Sequence, residues 1–161
     1  MYARRHWSVR HARGLQAFYR AFEALLVCCH PLFSRLGYRR LERPVAAVER
    51  AVKGLLFDCQ MCGACVLSAT GMSCPMNCPK QMRNGPCGGV RADGCCEVRP
   101  QMRCVWVEAV AGAARIPGGL ESLAAANHAL DRRLQGQSSW LRVARERAAA
   151  GAARAAAASR P

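Results

Sequence analysis

The chain has 161 residues, only 6% of them aromatic, and a formal net charge of +14. This length excludes a (β/α)₈ barrel, which needs about 250 residues, so chemistry that requires such a scaffold must come from a partner. Of the 24 basic residues, 22 are arginine, a balance that suits nucleic acid, an anionic membrane surface or an acidic protein partner.

Residues 1–43 form a basic first segment with one amphipathic helix. Its apolar side chains recur at helical spacing, at Leu15, Phe18, Tyr19, Phe22, Leu25, Leu26 and Cys29. The helix is predicted to end near His30 and Pro31, because proline disfavours helical geometry in the residue before it. We interpret this helix as packing on the chain or on a partner, with a membrane-surface helix as the alternative. No apolar run is long enough for a signal-peptide core or a transmembrane segment, so the cytoplasm is the expected location.

The second segment, residues 44–110, is predicted to be a lead-in helix followed by a cysteine-rich domain. Pro44 occupies a favoured first helical position. The side chains that then share one helix face are Val45, Val48, Ala51, Val52, Leu55 and Leu56. From residue 58 to residue 104 the periodicity disappears, and this stretch holds nine of the eleven cysteines among many glycines and prolines. Loops wrapped around metal have this composition, because coordination replaces a hydrophobic core.

The third segment, residues 111–161, is predicted to be a helical extension rich in alanine and arginine. A short helix over residues 105–114 leads into it, and helical spacing continues at Leu120, Leu123, Ala124, Asn127, Leu130 and Leu134. Residues 136–139 indicate a turn or cap, and the Ala/Arg tract after them has helical propensity but little to bury. The predicted fold class is mainly α, with helices flanking a cysteine-rich loop domain that has little regular sheet and an irregular, metal-stabilised core.

The cysteine spacing carries the metal prediction. Cys59, Cys62 and Cys65 form a C-x₂-C-x₂-C triplet, which can wrap one loop around a cube of iron and sulfide as in bacterial ferredoxins. A zinc site usually draws two ligands from each of two C-x₂-C knuckles, so the triplet favours a cluster over zinc. Proline follows both Cys74 and Cys78, and it fixes φ and removes an N–H where the chain turns away from the metal.

Eight cysteines are predicted to be the metal and cofactor ligands. They are Cys59, Cys62, Cys65, Cys74, Cys78, Cys87, Cys104 and either Cys95 or Cys96. Eight thiolates are enough for two [4Fe-4S] clusters, with zinc as the alternative, and the spacing does not assign each ligand to a cluster. A disulfide framework is disfavoured by the odd cysteine count and by the expected cytoplasmic location.

Other side chains are predicted to play supporting roles. Cys28 and Cys29 fit small buried hydrophobic residues better than ligands, and no histidine shows metal-binding spacing. Asp58 is a candidate helix cap or a hydrogen-bond partner of a metal ligand. Three cations could offset thiolate charge or dock an acidic partner, namely Lys80, Arg83 and Arg91. There is no nucleophile with a paired base, no phosphate-binding glycine loop and no carboxylate pair, which favours a non-catalytic protein.

A set of longer runs resembles one known family. The runs are ERAVKGLLFDCQMCGAC at 49–65, TG at 70–71, CPMNCPK at 74–80, RNGPCGG at 83–89, Gly94, CEV at 96–98 and CVW at 104–106. Together, over roughly residues 45–110, they are similar to the cysteine-rich methylenetetrahydrofolate reductase C-terminal domain family, which includes the MetV-type small subunit of bacterial and archaeal reductase complexes. The resemblance favours Cys96 over Cys95 as the eighth ligand, because Cys-Glu-Val is the family's run, and the additional Cys95 is a departure from it.

The resemblance implies an electron-transfer and scaffolding subunit of a methylenetetrahydrofolate reductase complex in one-carbon metabolism. A flavin-containing barrel subunit would bind the folate and carry out the hydride chemistry, and this chain would pass electrons between that flavin and an external donor protein. One alternative is a structural zinc subunit of the same reductase with no redox role. Another is a basic metal-ribbon protein that binds nucleic acid, although interleaved aromatics and a groove-reading helix are missing.

Overall fold

The computed structural model describes residues 2–125 and 129–158, and Asn127 and His128 therefore lie outside the described residues. The described part contains seven α-helices: α1 (Tyr2–Arg10), α2 (Ala12–Cys28), α3 (His30–Leu36), α4 (Tyr38–Phe57), α5 (Val105–Ala113), α6 (Gly119–Ala125) and α7 (Ser139–Ala158). Short 3₁₀ turns occur at Pro75–Asn77 and Arg132–Leu134. Strand pairing within these residues is limited to two isolated bridges, Val90 with Cys96 and Cys95 with Arg103. The mainly α fold with little sheet is confirmed.

The predicted amphipathic helix of the first segment is α2. Ala12, Gln16, Tyr19 and Glu23 are buried on one face, at spacings of three and four residues. That face packs along α7, which also packs against α4, while α1 packs on α4 and α5. The helix ends at Cys28, within two residues of the predicted end, and Pro31 lies in the first turn of the next helix.

The predicted start of α4 at Pro44 is wrong. The helix begins at Tyr38, directly after Gly37, whose φ of +88° sets the chain direction between α3 and α4. Pro44 lies inside the helix, where its ring removes the N–H that would bond to the carbonyl of Arg40. Helix α4 packs on α1 and α7, and it remains helical on both sides of Pro44.

Only part of the apolar face predicted for α4 packs against the core. The buried residues of α4 are Ala46, Glu49, Lys53 and Phe57. Val48, Val52 and Leu55, from the predicted apolar face, are exposed. The core side of α4 thus carries a glutamate and a lysine. Its apolar face is divided, because Val45 and Leu56 pack against the core while the other side chains stay exposed.

The cysteine-rich loops are held against α5 by direct backbone contact. The chain turns at Gly71, where φ is +57°, and it approaches α5 at Gly112. A Cβ atom at Gly112 would lie 2.1 Å from the carbonyl oxygen of Gly71, and one at Gly71 would lie 2.2 Å from the amide nitrogen of Ala113. Only glycine fits this contact. Helix α5 agrees closely with the helix predicted for residues 105–114.

The C-terminal Ala/Arg tract is helical, as predicted, but the first turns of α7 belong to the core. Trp140, Leu141 and Ala144 are buried there, which the sequence analysis did not foresee. The predicted turn precedes the helix, which begins at Ser139. Over residues 2–125 and 129–158, no helix has both the length and the apolar character needed to cross a bilayer.

Candidate metal centre

Four of the eight predicted ligands line one small cavity. They are Cys59, Cys62, Cys65 and Cys74, and Lys53, Glu49, Arg83 and Ser139 line the same cavity. Cys62 and Cys74 are buried, while Cys59 and Cys65 are partly exposed. The structure therefore brings the whole C-x₂-C-x₂-C triplet together with the first cysteine that follows it. We call these four residues the buried cysteine group.

Tight turns place this group at the end of α4. The helix stops at Asp58, which has a left-handed φ of +54° and accepts a hydrogen bond of 3.0 Å from Nε of Arg5. Within the triplet, Met61 and Gly63 have φ of +49° and +74°. A Cβ on Gly63 would lie 2.2 Å from the carbonyl oxygen of Leu134, so only glycine lets the loop pass this closely. Asp58 is thus a helix cap, one of the two roles predicted for it.

Three of the four sulfurs receive a hydrogen bond from a neighbouring group of the protein. The Tyr19 hydroxyl donates to Sγ of Cys65 over 3.4 Å, and Nη1 of Arg83 donates to Sγ of Cys62 over 3.3 Å. The backbone N–H of Met61 donates to Sγ of Cys59 over 3.3 Å. Donors aimed at sulfur stabilise the thiolate, which is the form that binds metal.

A buried lysine supplies positive charge beside the same group. Nζ of Lys53 lies 2.7 Å from Oε1 of Glu49 and 2.7 Å from Oγ of Ser139. Burial alone would lower the pKa of Lys53, but the charges of Cys65, Tyr19 and Glu49 raise it above its ordinary value. The raised pKa favours the protonated, cationic form of Lys53 in the wall of the cysteine cavity.

Two thiols of the group interact directly with each other. The hydrogen bond with the Cys74 thiol lowers the pKa of Cys59 to about 7, assisted by the Met61 N–H and by Lys53 against the effect of burial. The same hydrogen bond, followed by burial, raises the pKa of Cys74. The pair therefore favours a thiolate on Cys59.

The other four predicted ligands lie around α5 and the loop before it. Cys96 is buried with Met102 and Val105, and Cys78 packs against them. Cys87 is exposed, and together with Cys104 it lines an apolar groove of about 470 Å³. The backbone N–H of Gly89 donates to Sγ of Cys87 over 3.4 Å. We call Cys78, Cys87, Cys96 and Cys104 the outer cysteine group.

One lysine lies near two members of the outer group. Lys80 forms an ion pair with Glu97, which is the first cause of its raised pKa, and the charges of Cys87 and Cys96 act in the same direction. Cys95 differs from Cys96 in its contacts, since its N–H donates to Oδ1 of Asp93 and its backbone pairs with Arg103. Its neighbour Cys96 is the one that packs with Cys78.

The remaining candidates divide between the two groups and the surface. Of the three predicted cations, Arg83 contacts the buried group, Lys80 lies near the outer group, and Arg91 pairs with Asp93 at 3.7 Å. Cys28 is exposed, so the prediction of a buried residue is wrong there. Its position at the last turn of α2 leaves it beyond the face that packs on α7.

The donor chemistry fits a metal group held by four thiolates, although the thiols are not drawn tightly together. In the described residues, no set of three or more His, Cys, Asp or Glu side chains has the closeness of a metal site. The buried group nevertheless offers four sulfurs around one cavity, three sulfur-directed hydrogen bonds and an adjacent cation. Both zinc and iron–sulfur clusters accept four thiolates.

Sequence reasoning missed Tyr19, Glu49, Lys53 and the serines before Trp140. Glu49 and Lys53 are four residues apart and lie beside the apolar stripe of α4, and a pair of opposite charges at this spacing is typical of a solvated helix face. Their burial arises because α7, far away in sequence, covers that face. Two signals were available: the family-like run at 49–65 contains both Glu49 and Lys53, and Lys53 is one of only two lysines beside 22 arginines.

These features together define a helical domain whose cysteine-rich loops place four thiols around one cavity at the end of α4 and four more around α5. Residues 38–131 match the family model described as Methylene-tetrahydrofolate reductase C terminal. The chain belongs to this family of reductase C-terminal domains. Neither curated proteins nor solved structures gave a match to the chain.

Proposed function

We propose that this chain is an electron-transfer and scaffolding subunit of a methylenetetrahydrofolate reductase complex that carries two four-iron clusters. The observation that supports it best is the buried cysteine group, in which four thiols share one cavity with Lys53 and Arg83 inside a reductase-family domain. Cys59, Cys62, Cys65 and Cys74 would hold one cluster. Cys78, Cys87, Cys96 and Cys104 would hold the other.

The charges around the buried group suit a redox cofactor, whose net charge changes when it gains or loses an electron and which binds no substrate. An iron–sulfur cluster, when bound, supplies one-electron transfer at a potential set by nearby charge and hydrogen bonds to sulfur. Lys53 and Arg83 offset thiolate charge, and Tyr19 and Met61 donate to sulfur. The buried positions of Cys62 and Cys74 limit the access of water to two of the four sulfurs.

The outer group suits exchange of electrons with a partner. Cys87 is exposed, and with Cys104 it borders an apolar groove on the protein surface. In this proposal the flavin-containing reductase barrel lies outside the 161 residues, binds the folate and carries out hydride transfer. The chain connects that flavin to an external donor protein, and it contributes no catalytic residue.

The test is the iron, zinc and acid-labile sulfide content of the protein purified without oxygen, with an absorbance spectrum. We expect about eight iron and eight sulfide per chain and an absorbance that dithionite bleaches. A second measurement mixes the reduced protein with a flavin-loaded reductase barrel and follows flavin absorbance, which we expect to bleach.

Other outcomes would assign a different function. One or two zinc per chain with no sulfide and no colour would replace the redox role with a structural zinc role in the same reductase. Full clusters with no flavin reduction would remove the proposed partner while leaving the metal assignment. Tight, salt-dependent binding to random DNA by a protein that fails both tests would favour the nucleic-acid alternative.

A further inference from the structure

Arg83 is a buried cation in the wall of the cavity that holds the buried cysteine group. It is only 3% exposed, and it lines the same cavity as the four cysteines. Nη1 donates to Sγ of Cys62 over 3.3 Å, and Nη2 donates to the carbonyl oxygen of Ala64. Nε is buried and has no hydrogen-bond partner among residues 2–125 and 129–158. A buried donor without a partner costs free energy until an acceptor occupies the site.

No carboxylate neutralises Arg83 in the part of the chain that the structure describes. Asp131 and Glu146 line a neighbouring cavity with Arg83, but they pair with Arg133 and Arg142. A guanidinium keeps its charge in proteins, and a buried charge is costly without a counter-charge. The negative charge that Arg83 requires must therefore come from the sulfurs.

The second cation of this cavity, Lys53, differs from Arg83 in having a counter-charge. Oε1 of Glu49 lies 2.7 Å from its Nζ, and both side chains are buried. The pair has no net charge, so its effect on the sulfurs is smaller than that of an isolated cation. Among the described residues that line the cavity, Arg83 is thus the uncompensated positive charge.

The outer cysteine group has no equivalent of Arg83. Three cations lie next to its cysteines along the chain, and each pairs with a carboxylate: Lys80 with Glu97, Arg91 with Asp93 and Arg103 with Glu108. Their side chains are 40%, 50% and 57% exposed, so water and salt screen their charge. Over the described residues, one hydrogen bond reaches a sulfur of this group, from the N–H of Gly89 to Cys87, whereas three reach the buried group.

This difference in charge predicts a difference in reduction potential. Reduction of an iron–sulfur cluster adds one negative charge, which a nearby cation and donors to sulfur stabilise. Burial has the opposite effect, because a low dielectric disfavours the added charge. The same low dielectric strengthens the attraction of Arg83, which contacts Sγ of Cys62 directly. We therefore expect the cation to outweigh burial.

We propose that Arg83 gives the buried cysteine group the higher reduction potential of the two, so that an electron received at the outer group passes to the buried group. This inference rests on the proposed function, in which each group holds one four-iron cluster. The exposed Cys87 makes the outer group the point of entry for an electron from a one-electron donor protein. The outer cluster is then oxidised by one electron and the buried cluster is reduced by one, with no bond made or broken.

A short connection joins the two groups. Cys74 and Cys78 are separated by the single 3₁₀ turn Pro75–Asn77. Four residues span at most about 14 Å, so the Cα atoms of these two cysteines lie no farther apart than that. The two groups therefore adjoin each other, as electron transfer between them requires.

The experiment is a potentiometric titration of the anaerobically purified, full-length protein, followed by electron paramagnetic resonance. Cys87→Ser and Cys65→Ser assign the signals, since each should keep only the cluster of the other group. We expect the buried site to be reduced first. Its equilibrium constant for reduction should exceed that of the outer site at least about tenfold, which is about 59 mV for a one-electron couple.

Variants of Arg83 test its part in this order. Arg83→Met removes the charge at a similar side-chain length, and it should lower the equilibrium constant of the buried site at least about tenfold without changing the outer site. Arg83→Lys keeps the charge but not the fork of donors, so it should restore part of the loss. Arg91→Met is the control, because Arg91 is half exposed and pairs with Asp93, and it should leave the buried site unchanged.

Three results would overturn the inference in a protein that does hold two clusters. They are reduction of the outer site first, an unchanged potential of the buried site in an iron-loaded Arg83→Met variant, and an equal fall in Arg91→Met. The order in the unmodified protein and the potential of Arg83→Lys decide the question even if Arg83→Met loses its iron. A colourless protein with zinc and no sulfide would instead remove the proposed function, and this inference with it.

Discussion

Nζ of Lys53 lies 2.7 Å from Oε1 of Glu49, one helical turn away, and the two side chains are only 1% and 2% exposed. Glu49 also accepts hydrogen bonds from the hydroxyls of Ser138 and Ser139, at 2.7 Å and 2.5 Å. One buried carboxylate thus joins α4, the start of α7 and the wall of the buried cysteine group. Such a charge is stable only while every partner remains in place.

Removing one member of this pair should destabilise the protein strongly. Lys53→Met leaves the Glu49 carboxylate buried without its cation, and we expect the free energy of unfolding to fall by about 3 kcal/mol or more. Urea unfolding followed by circular dichroism under anaerobic conditions measures the change.

The double variant Glu49→Gln/Lys53→Met is the matched comparison. It removes both charges, so it should be more stable than Lys53→Met alone. The control is Lys80→Met, whose side chain is 40% exposed, and it should change stability by less than about 1 kcal/mol. A double variant that is less stable than the single one would show that Glu49 is not stabilised chiefly by Lys53.

The two cysteine groups should lose metal separately. Cys65→Ser removes a ligand from the buried group and Cys87→Ser removes one from the outer group, so each should lower the iron content from about eight to about four. Metal analysis with electron paramagnetic resonance of the reduced protein measures the loss. Cys95→Ser and Cys28→Ser should keep the full content. Complete loss of iron from a folded Cys87→Ser variant would contradict the division into two groups.

The hydroxyl of Tyr19 should raise the reduction potential of the cluster that we propose for the buried cysteine group. It donates to Sγ of Cys65, and the more negative reduced state gains most from a donor to sulfur. Tyr19→Phe should therefore lower that potential, by up to about 60 mV for a one-electron couple if the bond contributes about 1.4 kcal/mol.

A potentiometric titration monitored by absorbance measures this shift. Tyr38→Phe is the control, since the hydroxyl of Tyr38 lies 2.6 Å from Nδ1 of His30 and contacts no cysteine. The potential should stay unchanged in that variant. A rise in potential in Tyr19→Phe would contradict the proposed effect of the hydrogen bond.

A methyl group at the contact between Gly71 and Gly112 should destabilise the cysteine domain. In Gly112→Ala the added carbon would overlap the Gly71 carbonyl, and we expect a loss of about 3 kcal/mol in unfolding free energy. Gly151→Ala is the control in an exposed part of α7 with open space around it, and it should stabilise the helix by up to about 1 kcal/mol. Thermal unfolding of both variants measures the difference, and equal stability would show that α5 can shift away from the loop.

Local patterns in the sequence predicted the local structure well. The periodicity from Leu15 to Leu26 predicted α2, and the loss of periodicity after Asp58 predicted the irregular cysteine loops. These features depend on residues that are close together in the sequence, and a local pattern of apolar residues is enough to predict them. Pro44 misled the prediction, because tertiary packing keeps α4 helical through a residue that usually starts a helix.

The environment of the cysteines could not be predicted in the same way. The spacing identified Cys59, Cys62 and Cys65 as a unit, yet it left the partner of the triplet open. The environment of the cavity depends on contacts between distant residues. Tyr19 and Cys65 are 46 positions apart, and Lys53 and Ser139 are 86 positions apart. Such contacts follow from how whole helices pack, and a single sequence contains no signal for that packing.

The buried contact of Lys53 with Glu49 and Ser139 can form only after all eight predicted ligands have been synthesised. Lys53 and Ser139 are 86 residues apart, and all eight predicted ligands lie between them. A ribosome that adds about 5–20 residues per second exposes the last of these cysteines a few seconds before it reaches the start of α7. Under the proposed function, metal delivered in that interval would meet loops that α7 does not yet cover, and metal delivered later would meet loops already packed against α7.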